Sequence, residues 1–197
     1  MRRKFIPIIK WLVFIALLIP AARLINLGFH EALGSNPIET IERSTGFWAL
    51  FILLLCLSLT PIRLITKSSW PIQFKRLIGL MSFFYAFVHI IIYVWLDHWF
   101  DWNEIADDIV KHQYVVVGFF AFILLIPLAM TSTKKMMSIL GKRWKPLHRL
   151  VYLVGFLGLL HFLWLVKKDM TEPLTYLFIF AILMSIRLYY SRFKKTT

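Results

Sequence analysis

The sequence predicts an all-α integral membrane protein, a six-span transmembrane helical bundle with both termini cytoplasmic, and three observations carry that prediction. Of 197 residues, 59% are hydrophobic and only 17% charged, and the mean hydropathy is +0.72, outside the composition of soluble domains. Apolar windows of about bilayer length, roughly 20 residues, recur along the chain. The 23 Lys and Arg gather in alternate connections, as they do in chains that cross a membrane repeatedly.

The first window, at about 6–27, follows the basic start MRRKF. That order is also the order of a secretory signal, but further windows follow. It therefore reads as a retained first span whose Lys10 and Arg23 snorkel to the two interfaces. The others fall at about 45–65, 77–96, 114–131, 148–166 and 173–190. No internal repeat and no Pro-, Gly- or Ser-rich linker divides the chain, so 1–197 reads as one domain; Gly141 and Pro146 merely punctuate its longest basic connection.

Charge sets the orientation. Arg2, Arg3, Lys4, Lys10, Arg63, Lys67, Lys75, Arg76, Lys134, Lys135, Lys142, Arg143, Lys145, Arg149, Arg187, Arg192, Lys194 and Lys195 fall on one side, which is then cytoplasmic. Arg23, Arg43, Lys111, Lys167 and Lys168 are left for the other, together with all 10 acids. The net charge of +13 would suit nucleic acid, but these cations sit in short runs at lipid headgroups, so the expected partner is the bilayer and not nucleic acid. The loop DHWFDWNEIADD, Asp97 to Asp108, is acidic and aromatic. It reads as a docking face for an extracytoplasmic protein or as a solvated loop with a tryptophan belt. The one cysteine, Cys56, lies in an apolar run, so this chain alone forms no intrachain disulfide and no cysteine-ligated cluster.

Six histidines occur. His30, His98 and His112 fall at the outer edges, where a solvated imidazole needs no explanation. His89, His148 and His161 lie on spans, where a metal-binding side chain is costly unless partnered. His89 stands 13 residues above Arg76 and His161 stands 13 above His148, so both are roughly 20 Å up from the basic side on spans that run the same way. Two imidazoles at one depth suit the axial positions of a haem iron. In a straight helix His148 points about 140° away from His161, which leaves His148 beside Arg76 for an anionic carrier: a second haem, a flavin phosphate or a quinone headgroup. Gly79, Gly155 and Gly158 on the same spans allow close approach of a helix or a macrocycle. Phe83, Phe84, Tyr85, Phe87, Phe162 and Trp164 crowd the two histidines as membrane core or cofactor wall.

The strings RLIGL (76–80), FFYAFVHIIIY (83–93), PLAMTSTKKM (127–136), LGKRWKPLHRLVYL (140–153) and HFLWLVKKD (161–169) resemble the MsrQ family across nearly the whole chain. That family is the haem-bearing membrane subunit of the bacterial periplasmic methionine-sulfoxide reductase system, within the ferric-reductase-like transmembrane superfamily. The resemblance implies one ferric-reductase-like haem domain in the inner membrane, with b-type haem, one or two, on His89, His148 and His161. It implies electron delivery to a periplasmic molybdenum-cofactor reductase, supply from the quinol pool or a cytosolic flavin reductase, and an association with flavin mononucleotide (FMN). Relatives of similar architecture carry two histidines on the third span, and here Arg76 stands at the inner position. They also continue into a nicotinamide domain. With no G-x-G-x-x-G segment before Thr197, the reductant is expected from another protein.

The expected function is therefore single-electron transfer through haem, with the substrate chemistry on a partner. The rivals are a stand-alone ferric or cupric reductase, which would turn over chelated iron unaided, and a non-redox scaffold, which would show no Soret band.

Overall fold

The computed structural model describes residues 5–193; Arg2, Arg3, Lys4, Lys194 and Lys195 lie outside them. The described residues include 6 helical runs long and apolar enough to cross a membrane: Ile6–Phe29, Pro37–Thr66, Trp70–Asp97, Gln113–Met130, Lys134–Leu165 and Thr171–Phe193. An even number of crossings returns the chain to the end where it began. The bundle thus has a basic end, where the first and the last described residues lie, and an acidic end.

Helix α1 (Ile6–Phe29) buries only Leu17 and Pro20. Its tether is Tyr85, whose hydroxyl accepts from the Ala21 N–H at 3.1 Å and donates to the Leu17 carbonyl at 2.8 Å. The hydroxyl stands in the gap where those two groups would otherwise close a helical bond, next to Pro20.

Helix α2 (Pro37–Thr66) is central, with Ile52 and Leu57 fully buried. It begins well before the apolar window because Asn36 caps it: Oδ1 accepts from the Glu39 N–H at 3.2 Å and Pro37 takes the first helical position. Pro61 supplies no N–H to the Leu57 carbonyl. Arg187 of α9 (Thr171–Phe193) donates there instead, and its other terminal nitrogen donates to the Tyr152 hydroxyl at 2.7 Å. The sequence counts Arg187 among loop cations; it lies within the last span, where it closes a proline gap and binds α9 to α2 and to the helix that carries Tyr152.

Helix α3 (Lys75–Ile91) enters through the 3₁₀ turn Trp70–Phe74 and leaves through a π turn, Ile92–Asp97. The stretch read as an acidic loop contains a short helix, α4 (Trp102–Lys111). Asp101 caps it by accepting from the Asn103 N–H at 2.9 Å and the Glu104 N–H at 3.1 Å. Ile105 anchors it against Tyr93 and Val115. Its apolar face, Ile105 with Ile109 half-buried one turn on, is narrow and set among acids, so windowed hydropathy passes over it.

Helix α5 (Gln113–Met130) descends to the basic connection, which folds into α6 (Lys134–Leu140) and α7 (Trp144–His148). The fifth window is broken at Arg149, and α8 (Leu150–Leu165) makes the climb. α3 lies along α2, and α8 lies along α5. Leu53, Leu125 and Val154 join the two pairs.

Candidate functional site

The structure brings His89 and His161 together, with ring centroids 6.3 Å apart and planes at 79°. Each ring is held by the helix beside its own. His89 Nδ1 lies 3.0 Å from the Glu42 carbonyl of α2, and His161 Nδ1 lies 2.7 Å from the Tyr114 carbonyl of α5. Both bonds span 47 residues. A carbonyl only accepts, so Nδ1 carries the proton in both rings and Nε2 keeps its lone pair. Metal-bound imidazoles are oriented in this way.

One turn further along α2 and α5 stand Gly46 and Gly118. A Cβ on Gly46 would lie 3.0 Å from His89 Cε1, and one on Gly118 would lie 2.8 Å from His161 Nδ1. Each imidazole therefore rests in a cradle that a methyl group would fill. One offset, that from His89 to His161, carries Glu42 onto Tyr114, Gly46 onto Gly118 and Arg76 onto His148. The chain holds a two-fold repeat, contrary to the reading of the sequence as free of repeats. The repeat shares spacing but little residue identity, and its members Glu42, Gly46, Tyr114 and Gly118 escaped notice because a backbone carbonyl leaves no mark in composition.

The donor set fits a haem iron. With metal–imidazole bonds of about 2 Å and about 1 Å more from nitrogen to ring centre, two imidazoles on opposite faces of one iron hold their centroids about 6 Å apart. The observed rings have that separation. Among the described residues no cluster of three or more His, Cys, Asp or Glu side chains forms a bare metal site.

Gly79, Gly155 and Gly158 are helix-packing glycines: a Cβ on them would meet Cys56, Phe180 and Leu50 respectively. Of the aromatics near His89, Tyr85 turns to α1, while Phe83 and Phe87 stack with Phe122 of α5 at 6.0 and 6.4 Å.

His148 lies at the basic end in a clasp of its own. The Thr131 hydroxyl donates to the Pro127 carbonyl at 2.6 Å, so its oxygen accepts from His148 Nε2 at 2.9 Å, leaving Nδ1 as that ring's lone pair. Trp144 stacks on the ring at 4.0 Å and donates to the Thr131 carbonyl at 2.9 Å. Arg76, at the start of α3, is exposed.

At the acidic end two histidines differ from the solvated picture, while His30 is exposed after α1 as expected. His98 is buried at 8% exposure, with its ring 4.5 Å from that of Tyr93, because the π turn folds it inward beneath α4. His112 Nδ1 lies 2.6 Å from Asp108, whose other oxygen accepts from the Tyr93 hydroxyl at 2.7 Å. Burial works against the Asp108 charge, but the bonds from Tyr93 and His112, with the charges of His112 and His98, outweigh it and hold its carboxyl below the usual range.

Six spans around two facing imidazoles form a helical bundle of the ferric-reductase-like transmembrane class. Residues 45–159 match the family model described as ferric reductase like transmembrane component. The chain is 44% identical over 194 residues to the protein-methionine-sulfoxide reductase heme-binding subunit MsrQ of Herminiimonas arsenicoxydans, covering 97% of this chain and 89% of that one. The protein of the same name from Xanthomonas campestris pv. campestris is 47% identical, with 81% and 73% covered. That from Rhodospirillum rubrum is 45% identical, with 89% and 85% covered. The chain belongs to the MsrQ family.

Proposed function

We propose that this protein is the haem-binding membrane subunit of a methionine-sulfoxide reductase system, with His89 and His161 as the axial ligands of a b-type haem. The observation that carries the reading is the 6.3 Å separation of the two rings, each tied through Nδ1 to a backbone carbonyl. The relatives' names support it. A haem with both axial positions filled supplies one-electron ferric–ferrous chemistry and no open site for substrate. The chain's own work is to orient two lone pairs, exclude water from them and set the distance to donor and acceptor.

Charge sets the orientation, and the resemblance to the family supplies the direction of transfer. With the basic end cytoplasmic, electrons enter from the quinol pool or a cytosolic flavin reductase. They leave to a periplasmic molybdenum-cofactor reductase across a bacterial inner membrane. His148 and Arg76 serve the entry side, with the cations from Lys142 to Arg149, and suit the anionic group of FMN, a quinone headgroup or a second haem. On this reading the whole chain is one domain, and the chemistry on the sulfoxide belongs to the partner.

Dithionite-reduced minus oxidised spectra of the wild type and the His→Ala variants test the assignment. Loss of the Soret band is expected for His89→Ala and for His161→Ala. For His148→Ala the band persists while reduction from the cytoplasmic side slows, and complete haem loss there would overturn that division of labour. A second reading, stand-alone ferric reduction, is favoured by the family description alone. Turnover of chelated iron by the purified protein would establish it.

A further inference from the structure

The acidic end holds all 10 Asp and Glu of the chain and five cations; Arg23 stands apart on α1 and Arg43 pairs with Glu39 at 3.3 Å, while the three lysines fall on one side of the site. Lys111, at the close of α4, and Lys167, just past α8, line one open depression of about 310 Å³ with His112, Tyr114 and Trp164. Lys168 follows directly in sequence. Tyr114 is the residue whose carbonyl holds His161, and its ring lies 5.9 Å from that imidazole. The His112 ring lies 5.3 Å beyond it. A file of π systems thus runs from His161 to the surface and ends between two lysines. Lys111 is paired with Asp107 at 3.5 Å, but the two side chains are 67% and 74% exposed, and such a pair contributes little and exchanges readily for another carboxylate.

We propose that this depression is where the electron acceptor docks, and that the acceptor presents carboxylates there: the acidic edge of a redox protein, seated over Tyr114 and Trp164 and paired with Lys111 and Lys167. The inference rests on reading His89 and His161 as haem ligands. Each encounter passes one electron and no atom, so the donor site is oxidised by one electron as one acceptor is reduced. Rim charges of this kind act mainly on the association rate and on its dependence on salt. The carboxylates around the depression disfavour an anionic partner beside it, which directs docking toward the lysines.

Two measurements on the full chain in nanodiscs test this. The first needs no haem. With each quenching constant normalised to that of free N-acetyltryptophanamide, the fluorescence contributed by Trp164, obtained by subtracting the Trp164→Phe variant, should be quenched at least threefold more efficiently by iodide than by caesium. Lys111→Gln/Lys167→Gln should level the two quenchers and Lys111→Glu/Lys167→Glu should invert them. Equal quenching in the wild type, or no response to the lysine variants, would sink the idea. The second follows reoxidation of the dithionite-reduced protein by ferricytochrome c, native and cationic against succinylated and anionic. The basic end meets the same probes in every variant, so only the variant-dependent part counts. The rate with the succinylated probe should fall about tenfold in the Lys→Glu variant at low salt, by less in the Lys→Gln variant, and the differences should vanish when salt is raised. Unchanged rates in both variants would overturn the docking site. A missing Soret band would instead overturn the haem reading, while the quenching still reports on the depression.

Discussion

The two halves of the clamp are built alike and placed differently. In one, α2 holds His89 of α3; in the other, α5 holds His161 of α8, with a carbonyl, a glycine and an imidazole at matching positions. The first half is central, and behind it Ile52, Cys56 and Tyr85 pack into a core that includes α1. The second stands beside the depression at Tyr114 and Trp164. Likeness between the halves serves the chemistry of two equivalent ligands. On the proposed reading, their difference in surroundings gives electrons a side on which to leave.

The largest effect expected is the loss of either ligand. Two imidazoles sharing one iron should be equally necessary, so His89→Ala and His161→Ala should each abolish the low-spin Soret and α bands. Retention of a full low-spin spectrum in either variant would break the equivalence of the halves.

Next come the cradles. Gly118→Ala puts a methyl 2.8 Å from His161 Nδ1, against 3.0 Å from His89 Cε1 for Gly46→Ala. Neither ring can swing aside without straining its carbonyl bond, and overpacking of this kind costs about 1–3 kcal/mol. Haem content per chain should fall in both variants and further in Gly118→Ala, measured by pyridine hemochrome against protein. The reverse order would show that the core behind α2 yields less than the open side of α5.

A smaller effect tests the cover over the second half. Asp108, bonded to Tyr93 and His112, is held below the ordinary carboxyl value of 3.8. A depressed carboxyl stabilises the fold above its unfolded pKa, and that stabilisation is lost as pH falls through the folded pKa. The melting temperature should therefore decline as pH drops below about 4. In Asp108→Asn the decline should be shallower, with a lower plateau at neutral pH. Identical acid limbs in the two proteins would remove Asp108 from the account.

Much of this was legible in the sequence, and the part that was not has a physical cause. Span number came through because a bilayer demands long apolar runs. The juxtaposition of His89 and His161 came through because imidazole in hydrocarbon must be explained. Asn36 extended α2 by a polar turn and Asp101 started α4, and both are local caps that averaged hydropathy erases. His98 is buried through the π turn, a backbone event with no residue signature. The glycines singled out, Gly79, Gly155 and Gly158, were those nearest the ligands in sequence. The ones that matter, Gly46 and Gly118, lie on the partner helices, and only spatial pairing exposes them.

The least effect belongs to the one polar difference inside the clamp. Thr45 of α2 maps onto Val117 of α5, and its hydroxyl donates to the Ile41 and Glu42 carbonyls at 2.9 Å each while lying 3.5 Å from His89 Nδ1. It shares the Glu42 carbonyl with His89, so that acceptor divides its lone pairs between two donors and the His89 bond is the longer one, 3.0 Å against 2.7 Å for His161. Thr45→Val frees the carbonyl for His89 and makes the two halves chemically alike; a neutral hydrogen bond nets about 1 kcal/mol, and part of it returns through the strengthened imidazole bond. A stronger bond from Nδ1–H makes Nε2 more electron-rich and favours the ferric state. The midpoint potential should therefore shift slightly downward with haem content unchanged, and Val117→Thr should shift it slightly upward. Shifts of the same sign in both variants would mean that the hydroxyl acts through packing and not through the carbonyl it shares.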